Sequence, residues 1–427
     1  MKRAICFALC MLLIFSGCMV AEPNATEGTT LQQTETEATG ESVQKGPIIG
    51  SAEGFEQGDD EWEEDHEEPL KPTDGSGDEN ATGKNPSAGS VPNNAGVVLE
   101  AQQKAVIGYY FMSGEGVLSP SNGDFFSKWG DSTLIVFPNG QTMLVDSGVK
   151  NYYPKLKERL HSLGVYKLDY VVFTHPHDDH CGGMWAGLFD DFSIGRVYHS
   201  GLKNAAWGDG TNLRQIASKC EAYGISASIL KKGDVLTIGQ GSELVTMKVL
   251  WPTGQFAVTE GQSIKGSGEI NNRSLVLRFD YGQHSSLFPG DIYKTKSHTG
   301  QIQSSDPTGG EDALLAYYTN GELDVDLLKL AHHGDASSSN SNELFSATTP
   351  DLAVATGFVP IESHWGLYKY VGGKAFNSGY NNKVLFDRYN GYITVRATAD
   401  GTMKYETSRN GYLPDFGKSW NPDLDRK

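Results

Sequence analysis

The chain has 427 residues, a formal charge of −18 and 38% hydrophobic residues. That length allows two or three domains, and the charge balance excludes the strongly basic footprint of a dedicated nucleic-acid binder. Five cysteines spread over this length do not make a disulfide framework.

Lys2 and Arg3 precede an apolar stretch over residues 4–15, closed by Ser16-Gly17-Cys18. The stretch is too short to span a bilayer and ends in small residues, the pattern of a secretory signal over residues 1–18. Phe15-Ser16-Gly17-Cys18 resembles the bacterial lipobox, with Phe where Leu is commoner. The resemblance implies cleavage before Cys18, lipidation of its sulfur, and an extracytoplasmic lipoprotein held at the membrane by its acyl chains. An ordinary secretory signal or an uncleaved anchor is the alternative.

Residues 19–104 read as a disordered acidic linker. Residues 19–100 hold 19 Asp and Glu against 3 Lys and few apolar side chains, too little buried surface to offset the entropy of ordering. The run Asp59-Asp60-Glu61-Trp62-Glu63-Glu64-Asp65 is expected to keep the tether extended, since its spacing fits no calcium loop. Most of the charge lies in this segment, which leaves residues 101–427 at −4.

Residues 105–427 read as one α/β domain. Runs rich in β-branched and aromatic residues predict strands over 106–112, 133–137, 142–145, 169–173, 196–198, 244–250, 274–279, 285–288, 327–331 and 352–355. A late hairpin, 392–397 and 403–407, turns through Ala399-Asp400-Gly401. Helical periodicity marks 153–163, 184–189, 213–223, 312–318 and 341–347. Two polar insertions, 254–268 and 295–310, are expected as surface loops, with a lid over a site as the alternative.

The stretch Thr174-His175-Pro176-His177-Asp178-Asp179-His180 follows the run 168–173 and sets three imidazoles and a carboxylate on one short turn. Charged side chains are rarely buried unless paired or metal-bound, and neutral imidazole with carboxylate oxygen suits zinc and similar divalent ions. A chance cluster on a solvated turn leaves the coincidence unexplained. Three further strands end in polar groups: Asp146-Ser147-Gly148, Pro289-Gly290-Asp291 and His332-His333-Gly334. Strand tips pooled at one sheet edge are how an α/β scaffold assembles a site from distant residues.

These motifs, His175-x-His177-x-Asp179-His180 with the DSG, GD and HHG signals in order, resemble those of the metallo-β-lactamase-fold hydrolases over about residues 105–407. The resemblance implies a four-layer αββα sandwich and two divalent ions, zinc with manganese as an alternative. It implies that His175 and His177 hold one ion, that Asp179 and His180 hold the other, and that Asp291 bridges. One of His332 and His333 completes the set, and the other would meet a substrate oxygen or protonate the leaving group; the sequence leaves that choice open. Asp146 is expected outside the ligand set, orienting the turn by hydrogen bonds. Gly130-Asp131-Ser132, Asn271-Asn272-Arg273-Ser274-Leu275-Val276-Leu277 and Leu328-Lys329-Leu330-Ala331-His332-His333-Gly334 resemble the ComEC-type branch, the hydrolase domain of DNA-uptake channel proteins and its free-standing relatives. His364 falls where that branch carries a His-containing loop and is a candidate general acid or phosphate contact.

Asn271-Asn272 stand where many members of the superfamily carry a third metal-binding histidine. Amide oxygen is a weaker ligand than imidazole, and Asn272 is expected beside the ligand set or as a turn capping the strand. Cys181 and Cys220 are read as small buried residues or an unproven pair, His199 as a strand-end residue, and His161 and His284 as surface residues. Trp365, Tyr368 and Tyr370 form a satellite apolar cluster or line a pocket.

The expected chemistry is hydrolysis by hydroxide drawn from a water shared between two ions, with Asp179, His332 and His364 as catalytic candidates. The ComEC-like motifs point to phosphoesters, and to phosphodiesters foremost. Within that class DNA cleavage competes with phosphorylcholine or teichoic-acid-type cleavage, and the near-neutral domain disfavours tight nucleic-acid binding. A lactone or β-lactam hydrolase, or a surface lipoprotein that binds metal without catalysis, are the alternatives.

Overall fold

The computed structural model of the chain describes residues 85, 92–112, 130–204, 216–259, 262–264, 266–294, 309–335, 338–356 and 383–408. The signal with Cys18, almost all of the linker, most of the insertion 295–310, His364 and the Trp365–Tyr370 aromatics lie outside the described residues.

In chain order, α1 (Val97–Lys104), β1 (Val106–Phe111), β2 (Thr133–Val136) and β3 (Thr142–Val145) lead to α2 (Tyr153–Ser162) and β4 (Lys167–Phe173). Then come α3 (Asp178–Ala186), α4 (Leu188–Asp191), β5 (Ser193–His199), β6 (Lys203–Asn204), α5 (Ile216–Ala222), β7 (Ala227–Ile229), β8 (Val235–Ile238) and β9 (Val245–Trp251). β10 (Ser263–Ile264), α6 (Ser267–Asn271), β11 (Val276–Tyr281) and β12 (His284–Phe288) precede α7 (Gly310–Tyr317), β13 (Leu327–Lys329), α8 (Asn342–Thr348) and β14 (Leu352–Ala355). β15 (Lys383–Phe386), α9 (Asp387–Asn390), β16 (Ile393–Thr398) and β17 (Met403–Thr407) follow.

The strands form an eight-stranded sheet, β17-β16-β1-β2-β3-β4-β5-β7, and a seven-stranded sheet, β15-β14-β13-β12-β11-β9-β8. Side-chain alternation decides how the sheets stack. From β1, Ile107, Tyr109 and Phe111 join Met247, Val249, Leu277 and Phe279 of the second sheet in one central core. The opposite face of the first sheet, with Tyr110, Leu134, Leu144 and Val171, is covered by Leu156 and Leu160 of α2 and by Met184 and Leu188 of α3 and α4. On the second sheet Leu352 and Val354 point inward, while Ala353 and Ala355 face the outer layer with Leu314 of α7. Helices therefore cover both outer faces and the two sheets meet in the middle, the expected αββα order.

The chain direction then fixes where polar residues collect. β3, β4 and β5 run parallel, as do β12, β13 and β14. The loops after β3, β4, β12 and β13 consequently open at matching sheet edges, the usual place for a site in such folds. Leu275 N–H donates to Thr174 O (3.0 Å) and His332 N–H to Gly290 O (3.1 Å), which ties the edges together.

The expected linker ends earlier than residue 104. Asn94 Oδ1 accepts from the backbone of Tyr166 and Lys167 at 2.8 Å each, and α1 buries Val97, Val98 and Ala101. An eight-residue helix is marginal alone and is held by tertiary contact; its short apolar pattern beside an acidic linker gave too little periodicity to be seen. Other expectations also shift. The insertion 254–268 is not a plain loop: it contributes β10, which pairs with β6, and the start of α6. α3 begins at Asp178 rather than 184, because acidic residues suit a helix N-terminus. His284 is buried, 3.2 Å from the Tyr109 hydroxyl, not a surface residue. Cys181 and Cys220 are both buried and free. Among the described residues, no helix is long and apolar enough to cross a membrane.

Candidate metal centre

Asp146 ends β3 in a left-handed conformation (φ 59°), which a non-glycine residue adopts at a cost on the order of 1 kcal/mol. That conformation turns its carboxylate onto the histidine turn. Oδ1 accepts from Thr174 N–H (2.8 Å), and Oδ2 accepts from Thr174 Oγ1 (2.8 Å) and faces His180 Nδ1 (2.8 Å). With its proton committed to Asp146, Thr174 Oγ1 accepts from His175 Nδ1 (3.0 Å). Both rings are thereby fixed with Nε2 turned toward the other site residues.

The backbone of the turn is pinned as tightly. Asp131 N–H donates to Asp179 O (2.8 Å) and Ser147 N–H to His180 O (2.7 Å). Gly130 must be glycine here: its φ is +68°, and a Cβ would lie 1.9 Å from Asp179 O. Gly183 on α3 would place a Cβ 2.6 Å from Ser147 O, so glycines that weaken a helix let α3 seat against the DSG turn. Asp131 is itself anchored, by Thr356 Oγ1 (2.8 Å) and by a buried ion pair with Lys329.

Four side chains converge beyond this framework: Asp179, His180, Asp291 and His333 each offer a ligand atom, all within 4.8 Å of one another. Asp179 Oδ2 lies 3.0 Å from His333 Nε2, and His180 Nε2 lies 2.9 Å from Asp291 Oδ2. His333 Nδ1 donates to Thr356 O (3.1 Å), which again turns Nε2 inward. His175 Nε2 and His177 Nδ1 face each other at 3.0 Å. Asp291 Oδ2 reaches this pair as well, 3.9 Å from His175 Nε2, so it stands between the two histidine groups.

The electrostatics suit a cation. Burial would push the Asp291 carboxyl up, but His180 and His333 hold it well below the usual carboxylate range. Asp179 is likewise held down against burial by His180 and by the hydrogen bond from His333. His180 is pushed far up despite its burial by Asp291, Asp146 and Asp179, while burial keeps His175 and His177 neutral. Asp291 Oδ1 is buried with no hydrogen-bond partner. An orphaned buried carboxylate oxygen is costly, and imidazole nitrogens with carboxylate oxygens are the donor types that divalent ions take.

Residues 130–299 match the family model of the metallo-beta-lactamase superfamily. The chain carries a metallo-beta-lactamase-fold domain. It is similar to the Anti-Pycsar protein Apyc1 of Bacillus phage vB_BsuM-Goe3, 38% identical over 78 residues, 17% of this chain and 28% of that protein. It is also similar to the competence protein ComA of Neisseria gonorrhoeae, 23% identical over 281 residues, 65% of this chain and 31% of that protein. The chain thus spans less than a third of the length of these curated relatives. Among solved structures, the metallo-beta-lactamase fold protein YhfI from Bacillus subtilis aligns at 14% identity with a TM-score of 0.39, covering 70% of this chain and 99% of that one.

Within the metallo-beta-lactamase-fold domain, the His332–His333 choice has a geometric answer. His333 belongs to the converging group, and His332, expected with it as a ligand candidate, does not. Both have positive φ, 46° and 56°, in a turn whose sharpness sends neighbouring side chains different ways. His332 Nδ1 lies 2.7 Å from Ser338 Oγ, which donates to Asp335 Oδ2 (2.6 Å), and its ring packs 4.9 Å from Tyr293. Tyr293 went unnoticed in the sequence; only its place two residues after Asp291 marked it. Asn272 is a brace: its Oδ1 accepts from Tyr293 N–H and Gly310 N–H, 2.9 Å each. His199 accepts from Gly201 N–H (3.1 Å) at the end of β5, as a strand-end residue would.

Proposed function

We propose that the chain is a binuclear metal-dependent hydrolase of phosphoesters, phosphodiesters foremost, tethered outside the membrane through lipidated Cys18. The observation that carries the hydrolytic reading is the position of Asp291, buried, short of one hydrogen bond and in reach of both histidine groups. Divalent ions held by these residues supply Lewis-acid charge and lower the pKa of water. The chain's own residues supply the rest. Asp179 is the donor most open to solvent, with a third of its side chain exposed, so substrate meets the centre on its side. His332, oriented through Nδ1 by Ser338 and Asp335, offers Nε2 to a phosphoryl or leaving-group oxygen. His364 is a second candidate for that role. The ComEC-like motifs support phosphoesters over carbonyl substrates; the fold alone hosts many chemistries.

The full chain loaded with zinc or manganese should turn over bis-p-nitrophenyl phosphate, and Asp179→Ala should lose that turnover. Silence on phosphodiesters with turnover of a lactone or β-lactam would replace this reading, and silence on all of them would leave a metal-binding lipoprotein. For the tether, Cys18→Ala should release the protein from the membrane fraction and abolish incorporation of a labelled fatty acid.

A further inference from the structure

Adjacent amides at the end of α6 do opposite things. Asn272 spends its side-chain oxygen on two backbone donors and its carbonyl on Trp251 Nε1 (2.8 Å). Asn271 is only 2% exposed, yet its Oδ1 has no hydrogen-bond partner. An unmet buried acceptor costs about 1–3 kcal/mol, which calls for something that meets it.

The surroundings of Asn271 say what. Ser267 and Asn271 stand four residues apart on one face of α6, and Ser267 Oγ lies 3.4 Å from His177 Nε2. On the other side of α6, Asn272 Oδ1 accepts from Tyr293 N–H (2.9 Å), and the Tyr293 ring packs on His332. α6, which carries Asn271, therefore runs from the histidine turn, met by Ser267, to the segment that follows Asp291, met by Asn272. His175 and His177 present facing nitrogens, 3.0 Å apart, with Asp291 Oδ2 3.9 Å from His175 Nε2. That trio leaves a tetrahedral or larger shell short of a protein donor.

We infer that Asn271 Oδ1 is a metal ligand, completing with His175, His177 and Asp291 the ion site away from His333. An amide oxygen there makes the site harder than one closed by a third imidazole, and shifts it toward manganese relative to zinc. Asn272 takes no part in binding and braces the loops. This rests on the binuclear reading above.

The test is metal titration of the full chain by calorimetry, with bound metal counted by elemental analysis, for Asn271→Ala, Asn271→His and Asn272→Ala. Wild type should bind two manganese ions. Asn271→Ala should keep one at wild-type affinity and weaken the other by about 10–100-fold, a loss that even an outer partner of a metal site can cause. Asn271→His should restore the second ion and raise its preference for zinc. Asn272→Ala should lower the melting temperature and, while folded, keep both ions. Two ions bound by Asn271→Ala at wild-type affinity would overturn the assignment and leave the binuclear reading standing. A wild type that binds fewer than two ions would overturn both.

Discussion

Asp146 and Asp291 are both buried aspartates just past strand ends, one on each sheet, yet they are built for different work. Asp146 is saturated: both oxygens are taken, by the Thr174 amide, the Thr174 hydroxyl and His180. Asp291 keeps one oxygen with no partner. The same contrast separates Asn272 Oδ1, which accepts from two backbone donors, from Asn271 Oδ1, which accepts from none. At this centre the saturated oxygens hold the backbone in place, and the unsaturated ones are left for a ligand. Burial and formal charge do not distinguish the two kinds; the hydrogen-bond count does.

The comparison can be broken by substitution. Asp291→Ala should carry the largest functional effect, with turnover at background and both ions lost, while the metal-free fold melts closer to wild type than Asp146→Ala does. Asp146→Ala should show the reverse weighting: about 3–5 kcal/mol of stability lost, as for removing one partner of a buried charged network, read by urea denaturation without metal. Lys329→Met, which leaves Asp131 buried and unpaired, should cost a similar amount by the same measurement. Equal stability losses for Asp146→Ala and Asp291→Ala would dissolve the distinction.

A smaller effect comes from buried histidines away from the centre. Burial holds His199 down to about 4, and His284 also to about 4 with Asp326 opposing, whereas unfolded imidazole titrates near 6.5. Between those values the unfolded chain binds the extra protons, so stability is full above pH 6.5 and falls as pH drops toward 4. At pH 5 each should cost on the order of 2 kcal/mol. His284→Gln should remove its share of the pH dependence in melts compared at pH 7 and pH 5; an unchanged dependence would mean that His284 is not held neutral by the fold.

How legible the centre is in the sequence follows the same division. The turn Thr174–His180 puts four donors within seven residues, and Asp146, Asp291 and the His332-His333 pair each close an apolar strand, so chain order alone gathers them. What escapes is decided by one-residue geometry. His332 and His333 are told apart only by a turn with two left-handed residues, and Asn271 and Asn272 only by which of them faces Ser267's side of α6. The Gly130 approach, the Lys329 pair and the Tyr293 wall depend on contacts between segments far apart in sequence, which no local pattern reports. α1 stayed hidden for a related reason, since its first residue, Val97, donates its N–H to Leu163 O (3.2 Å), far along the chain.

Anomalous diffraction from crystals of the full chain grown with manganese tests the central claim most directly. The account predicts two peaks that share Asp291, one bounded by Asp179, His180 and His333, the other by His175, His177 and Asn271. Asp131, Asp146 and His180 also come within 4.8 Å of one another, but there both Asp146 oxygens and His180 Nδ1 are already committed, and that group should hold no ion. A manganese peak among those three residues, with none at Asp291, would contradict it.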